Sequence, residues 1–298
     1  MQAASRLNNS ERWPLGIMVV CGFEQHSLPA QLDVVRRLGA SHVELYPRWS
    51  NQPDARGVGR QVREAGLEVW SAHGPWGNET WQAERVDLGS LDPAARQSAI
   101  AEVRRTLEWL ALAGGSRLVV HPGVLSEPAD TTQRRGALLD SLAALAPEAA
   151  GHGVFLCVEN LPPGCFPGSH MADNAAIVAE LTASHVGLCL DTGHANIVAD
   201  VAGEARVAGR HLRTTHVHDN DGRRDEHLLP GLGTVRWAEF SVVLAEIGYD
   251  GVIMLECPRY LREHPEVITD ELRDRLAELC RKPVRVRWAS ESFRTTPV

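Results

Sequence analysis

Short, nearly continuous apolar runs alternate along this chain with longer segments of mixed polarity. Continuous apolar runs are typical of strands that are buried on both faces of a parallel sheet. The alternation therefore predicts eight strand–helix units. The predicted strands are residues 15–23, 42–46, 68–73, 117–121, 154–159, 186–191, 212–218 and 252–256.

The segments between the apolar runs are predicted to be helices. The clearest is 93–113, because Asp92 can cap its first turn, Pro93 suits that turn and Gly114 suits its end. Gly39 and Gly66 end two other helices in the same way. The predicted helices are 29–38, 56–65, 93–113, 131–150, 171–183, near 199–209, 237–247 and 266–281.

Most of the predicted strands end on a residue that can bind a metal ion. In a doubly wound sheet such residues gather at one switch point, whereas the strand ends of a (β/α)8 barrel all meet at one mouth. We therefore predict a single-domain α/β TIM barrel over residues 15–282, with an N-terminal extension (1–14) and a C-terminal tail (283–298). The strand-end residues are His73, His121, Glu159, Asp191, His216, His218 and Glu256.

Composition narrows the function classes. The chain has 298 residues, of which 44% are hydrophobic, and a formal net charge of −8. The acidic balance argues against nonspecific binding to a phosphate backbone. The six cysteines form no CxxC pair, which favours free thiols in a reducing compartment. Because the N-terminus has no apolar signal core and no run approaches the roughly 20 apolar residues of a membrane span, we expect a cytoplasmic protein without membrane contact.

Four strand-end residues are the preferred metal ligands, namely Glu159, Asp191, His216 and Glu256. Three carboxylates and an imidazole form a hard oxygen and nitrogen set that suits Mn, Mg, Co or Zn, and this set offers no thiolate. Such groups would repel one another at a shared mouth without a cation. The pattern therefore predicts a divalent-metal site.

A second group of residues is expected around this set. His194 follows Asp191 by one turn, whereas His218 is expected to point to the opposite side of its strand and Glu44 to lie at the rim. The turn Pro230–Gly233 should let backbone approach the mouth closely. The additional candidates for metal or substrate binding are His73, His121, His194, Asp225 and His227, and the candidates for an apolar wall are Tyr46, Trp49, Trp76 and Trp81.

Several motifs resemble the xylose-isomerase-like TIM-barrel superfamily, over roughly residues 15–280. They are ENLP (159–162), LDTGHAN (190–196), HVHDNDG (216–222), DEHLLPGLG (225–233) and LE (255–256). The superfamily includes sugar and sugar-phosphate isomerases and epimerases, inosose-processing enzymes and endonuclease-IV-like AP endonucleases.

In the isomerase and epimerase branch, the resemblance implies one divalent ion held by the four preferred ligands. It implies that Glu159 and Glu256 remove and return the proton beside a carbonyl, through a metal-stabilised enediolate. It also implies that His194 binds substrate oxygens. The expected substrate is a small sugar or polyol, with or without phosphate, and a homo-oligomer is an expectation by analogy alone.

Three alternatives stay open. The endonuclease-IV-like branch would place three zinc ions on nine residues, but the chain lacks a basic cluster with an aromatic wedge, so we do not expect nucleic acid as a partner. A dehydratase or lyase would need the same base and metal. A sugar-sensing barrel is less favoured, because binding alone does not require two opposed carboxylates. The nine zinc positions are His73, His121, Glu159, Asp191, His194, His216, Asp225, His227 and Glu256.

Overall fold

A computed structural model describes residues 11–51, 53–76 and 86–283 of the chain. Within these ranges, eight parallel strands form one sheet, and their burial explains the apolar runs of the sequence. All seven residues of the first strand, for example, are buried. The strands are β1 (Leu15–Cys21), β2 (His42–Pro47), β3 (Glu68–His73), β4 (Arg117–Val120), β5 (Phe155–Glu159), β6 (Val186–Asp191), β7 (Leu212–His216) and β8 (Ile253–Leu255).

The sheet closes on itself. From β1 to β7 each strand pairs with the next along the chain, and β8 pairs with β1 through Leu15 and Ile253. A parallel bridge between Val217 and Leu255 joins the end of β7 to β8. The eight-stranded order with parallel pairing confirms the predicted (β/α)8 barrel, in which the carboxyl ends of the strands share one mouth.

Helices cover the outside of the barrel, and α3 has the bounds that its end signals predict. The Asp92 side chain accepts a hydrogen bond from the Ala94 amide, and Gly114 ends the helix with a φ of 97°. In the described ranges the helices are α1 (Leu28–Arg37), α2 (Ala55–Glu64), α3 (Pro93–Ala113), α4 (Thr131–His152), α5 (Met171–Leu181), α6 (Thr192–Val198), α7 (Val201–Ala208), α8 (Trp237–Glu246), α9 (Pro258–Glu263) and α10 (Asp270–Leu279).

Three elements differ from the prediction. Helix α6 follows β6 directly, ahead of the predicted helix near 199–209. The predicted helix 266–281 begins later, as α10, and α9 precedes it because Pro258 and Pro265 each start a separate short helix. Val124–Leu125 also pairs antiparallel with Cys165–Phe166, and strands of two residues leave no periodic signal in a sequence.

The two ends of the described chain pack together below the barrel. Trp13 is buried and donates from Nε1 to the Tyr249 carbonyl at 2.7 Å. Arg12 pairs antiparallel with Arg281. Residues 11–14 of the predicted extension therefore lie against the barrel, while the rest of that extension and nearly all of the predicted tail lie outside the described residues. None of the described helices is both long and apolar enough to cross a membrane.

Candidate active site

The carboxyl ends of the strands bring the predicted ligands into one buried region. Glu159 ends β5, Asp191 ends β6, His216 ends β7 and Glu256 directly follows β8. All four side chains are buried. Asn160 ties the ends of β5 and β6 together, since its amide donates to the Asp191 carbonyl at 2.9 Å and its oxygen accepts the Asp191 amide at 2.8 Å.

His216 lies among carboxylates from three other strands. Its Nδ1 is 2.8 Å from Glu159 Oε1 and 3.0 Å from Glu256 Oε2, and its Nε2 is 2.8 Å from Glu44 Oε1. Burial alone would lower the pKa of His216, but the surrounding negative charge outweighs it and raises that pKa well above its usual value. Both ring nitrogens of His216 therefore face carboxylates.

Glu44 does not lie at the rim of the mouth, where the sequence led us to expect it. It is fully buried inside the barrel, where its carboxylate contacts both His216 and the Ser71 hydroxyl. The prediction was wrong because it considered only where Glu44 lies along the chain. The side chain lies on the interior face of β2, which places it below the mouth. A charged residue in the middle of the apolar run HVELY was the available signal.

His218 does not point away from the site either. Its side chain is fully buried, and its Nε2 lies 3.0 and 2.9 Å from the two oxygens of Asp191. Residues two apart in extended backbone share a face, so His218 follows His216 towards the interior. The expected opposite orientation was therefore wrong, and the contacts of Asp191 run to His218 and His194 rather than to His216.

Asp225 joins the histidines on this side of the site. His194 Nε2 and His227 Nε2 lie 3.3 and 3.2 Å from Asp225 Oδ2, and the ring of His227 stacks on that of His218 at 4.0 Å. Burial alone would lower the pKa of His194 and of His227, but the neighbouring carboxylates raise each to about 10. The structure thus unites the predicted outer residues His194, Asp225 and His227.

His73 and His121 lie on the other side, facing Glu159. Their Nε2 atoms are 3.7 and 3.2 Å from Glu159 Oε2. Burial lowers the pKa of His121, so its neutral ring keeps a lone pair for a cation or a substrate hydroxyl. Trp76 stacks on His121 with a centroid distance of 5.4 Å and donates from Nε1 to the Tyr46 hydroxyl.

Of the four aromatic residues that were predicted to form an apolar wall, two do not lie beside the site. Trp49 is buried against Trp109 of α3, with a centroid distance of 5.2 Å, so it is part of the core between helices. Trp81 lies outside the described residues. The other two, Tyr46 and Trp76, form an apolar wall together with residues from β1 and the loop after it, which are Met18, Val20 and Phe23.

A thiol also lies close to the site. Cys189 has its sulfur within 4.8 Å of ligand atoms of Glu159 and His216. Burial raises the pKa of the Cys189 thiol well above its usual value, so it stays protonated near neutral pH. The site therefore offers oxygen and nitrogen ligands rather than a thiolate. Cys189 was not among the residues predicted for the site.

Several polar atoms in this region accept no hydrogen bond from the described part of the chain. Among the described residues, the buried polar atoms without a hydrogen-bond partner include Glu159 Oε2, Glu256 Oε2 and His218 Nδ1. His121 Nε2 lies 3.2 Å from Glu159 Oε2, and His216 Nδ1 lies 3.0 Å from Glu256 Oε2, but neither contact has the geometry of a hydrogen bond. Buried carboxylate oxygens are costly unless they are paired or coordinate a metal ion. The donor set therefore fits a hard divalent cation.

A buried carboxylate holds the loop that carries Asp225 and His227. Asp219 is fully buried and accepts hydrogen bonds from the Gly231 amide at 2.8 Å, the Val235 amide at 3.1 Å and Trp237 Nε1 at 3.1 Å. Gly231 has a φ of 88°, as the predicted turn Pro230–Gly233 requires. Asp219 was absent from the predicted site, although it lies within the quoted motif HVHDNDG.

Comparisons with known proteins concern the chain as a whole. Residues 32–279 match a family described as the xylose isomerase-like TIM barrel. A D-psicose 3-epimerase from Agrobacterium fabrum is 26% identical over 237 residues, which cover 76% of this chain and 77% of that protein. A 2-oxo-tetronate isomerase from Cupriavidus necator is 29% identical over 183 residues, 59% of this chain and 67% of that protein.

Solved structures show the same fold. A crystal structure of D-psicose 3-epimerase in the presence of D-fructose superposes with a TM-score of 0.71 and covers 88% of this chain and 97% of that one. At 21% sequence identity this likeness concerns the barrel architecture alone.

Proposed function

The chain belongs to the xylose isomerase-like TIM-barrel family, and on that premise we propose that it is a metal-dependent isomerase or epimerase of a small sugar or polyol. The observation that carries this proposal is the pair of buried carboxylates, Glu159 and Glu256, each with one oxygen that accepts no hydrogen bond from the described residues. The relatives named as a D-psicose 3-epimerase and a 2-oxo-tetronate isomerase support the substrate class.

Glu159, Asp191 and Glu256 with one imidazole would hold the metal ion. His216 was predicted as that imidazole and stays a prediction, but both of its nitrogens face carboxylates. His216 forms candidate ligand groups with Glu256 and with Glu159, whereas His218 forms them with Asp191 and with Asp225, so His218 is a second candidate for the imidazole. A divalent ion bound there would polarise the substrate carbonyl and stabilise negative charge on its oxygen.

The two glutamates would move the proton. Glu159 would accept a proton from the carbon beside the substrate carbonyl, and Glu256, in its protonated form, would donate its own proton to the resulting enediolate, with the roles exchanged in the opposite direction. Proton exchange with solvent would then reset both carboxyl groups. His194 is fixed by a hydrogen bond from Nδ1 to the Asn160 carbonyl at 2.8 Å, so its Nε2 is directed to the site to bind a substrate oxygen. The apolar wall of Tyr46 and Trp76 would exclude water from the reacting carbon.

The test uses ketoses such as D-psicose and D-fructose with the Mn²⁺-loaded enzyme in deuterated solvent. Wild type should place deuterium beside the carbonyl, and Glu159→Gln or Glu256→Gln should lower turnover by at least about 100-fold, the usual contribution of a general base. Glu204→Gln is a matched control, because Glu204 is buried but its carboxylate accepts the Met171 amide away from the site. Near-normal turnover in either site variant would refute the two-carboxylate mechanism.

A second candidate is a hydrolase or phosphodiesterase with two or three zinc ions. It is favoured by two further ligand groups that flank the central carboxylates, one of His73, His121 and Glu159 and one of His218, Asp225 and His227. Elemental analysis of the purified protein separates the two candidates. About one ion per chain with sugar turnover supports the isomerase, whereas two or three zinc ions with cleavage of an abasic duplex would reverse the ranking.

A dehydratase or lyase would use the same carboxylates on a keto-sugar. Loss of water from the substrate changes the product mass, whereas isomerisation does not. Mass spectrometry of the product therefore separates this reaction from the one we propose.

A further inference from the structure

A chain of buried hydrogen bonds crosses the barrel beneath the candidate site. It begins at the Ser71 hydroxyl of β3, which donates to Glu44 Oε2 on β2. Glu44 Oε1 lies 2.8 Å from His216 Nε2, and His216 Nδ1 lies 2.8 Å from Glu159 Oε1. Ser71, Glu44 and His216 are fully buried and Glu159 is 1% exposed, so solvent does not compete for any of these bonds.

This chain fixes the orientation of one carboxylate. An imidazole ring with a carboxylate at each nitrogen has one rotational position, and Glu44 supplies the contact at Nε2. With the ring held, His216 binds Oε1 of Glu159 and leaves Oε2 directed to the proposed metal and substrate position, where it has no hydrogen-bond partner. We propose that Glu44 is a positioning residue, which acts through His216 to aim Glu159.

The location of Glu44 favours this role over simple packing. It lies between Val43 and Leu45, both fully buried, and an apolar residue of similar volume there would avoid the cost of burying a carboxylate. Its two oxygens are each assigned, one to Ser71 and one to His216. Partners that orient catalytic or metal-binding side chains from behind typically change metal affinity or activity about 10–100-fold when they are removed.

The inference rests on the proposed function, since Glu159 is the proposed base and ligand. The decisive variant is Glu44→Gln, which keeps the size of the side chain. It replaces one of the two carboxylate oxygens, each of which accepts a hydrogen bond, with an amide group that donates. We expect Mn²⁺ binding, measured by titration calorimetry, to weaken about 10–100-fold. We expect kcat to fall by a similar factor while KM for the ketose changes little, because substrate contacts remain.

Two further variants keep the test sharp. Ser71→Ala removes only the hydroxyl that bonds Glu44, so it should shift Mn²⁺ affinity and kcat in the same direction by a smaller factor. It decides the question if Glu44→Gln does not fold. Glu204→Gln, a buried glutamate outside the site, should leave both quantities unchanged. Unchanged Mn²⁺ affinity and kcat in the variants at Glu44 and Ser71 would overturn the inference.

Failure of the inference and failure of the proposed function give different results. If wild type converts no ketose, the proposed function fails, and a crystal structure of Glu44→Gln then decides the positioning role. Rotation of the His216 ring and displacement of Glu159 Oε2 would support it, whereas an unmoved Glu159 carboxylate would refute it. If wild type is active and Glu44→Gln is equally active with the same Mn²⁺ affinity, the inference alone fails.

Discussion

Replacement of Arg134 by Met should lower the free energy of unfolding of the protein by a large amount, because Arg134 holds together loops at the barrel mouth. Arg134 Nη2 donates to Asp87 Oδ1 and Oδ2 at 2.8 and 2.9 Å, and its Nε donates to the Phe166 carbonyl at 2.8 Å. The two side chains are only 8% and 12% exposed. Removal of one partner of a buried ion pair leaves the other charge without compensation and costs about 3–5 kcal/mol.

The energetic cost should appear in both chemical and thermal unfolding. In urea, the free energy of unfolding of Arg134→Met should fall by about 3–5 kcal/mol, and the melting temperature by roughly 10 °C. The double variant Asp87→Asn/Arg134→Met should be more stable than the single Arg134→Met variant, because it removes the unpaired carboxylate. Arg104→Ala is the control, since Arg104 forms an exposed pair with Glu148 and such pairs contribute about 1 kcal/mol or less.

The reasoning would be refuted if Arg134→Met lost no more stability than Arg104→Ala. It would also fail if the double variant were the less stable of the two, since the cost would then come from lost packing rather than from an uncompensated charge.

Three further predictions follow from single positions. A Cβ on Gly193 would collide with the His218 ring, so Gly193→Ala should weaken the Mn²⁺ affinity measured by calorimetry. Gly136→Ala is the control, because a Cβ there has open space in α4. Equal affinities in the two variants would exclude His218 as a ligand. Asp219→Ala leaves several buried N–H groups without an acceptor and should cost about 3 kcal/mol in urea unfolding, with Asp219→Asn closer to wild type. Burial lowers the pKa of His42, so the unfolded state binds a proton at this residue more tightly than the folded state does. The free energy of unfolding should therefore fall as the pH drops through the unfolded pKa of about 6.5. His42→Gln should lose less stability between pH 7 and 5 than wild type.

The fold was predictable where local signals and burial agree. Helix α3 has the predicted bounds because Asp92, Pro93 and Gly114 act within the local backbone. Helix α6 was missed because its N-cap is also the last residue of β6, where Asp191 accepts the His194 amide at 2.7 Å. Asp191 was interpreted as a strand end and ligand, so its second role as the start of a helix gave no separate signal.

The site was predictable in its location but not in its depth. A sequence shows that Glu159 and Asp191 end neighbouring strands, and the shared mouth of a barrel then brings them together. It does not show how far each side chain lies along the barrel axis. Glu44 and His216 face each other across the interior although 172 positions separate them, and this contact depends on the register of β1 to β8.

The two histidines of the HVH segment illustrate the consequence. Both face inward, but both nitrogens of His216 contact carboxylates, those of Glu44 and Glu159, whereas His218 has Nε2 beside Asp191 and an Nδ1 without a hydrogen-bond partner. An imidazole with a carboxylate at each nitrogen can orient those carboxylates, and a neutral imidazole nitrogen can offer a lone pair to a cation. The two histidines of the motif thus have different contacts at different depths, and the positioning role that we propose concerns the deeper ring, His216. The same division explains why hard-ligand residues at strand ends locate this kind of site, while the contacts below them determine which residue carries each role.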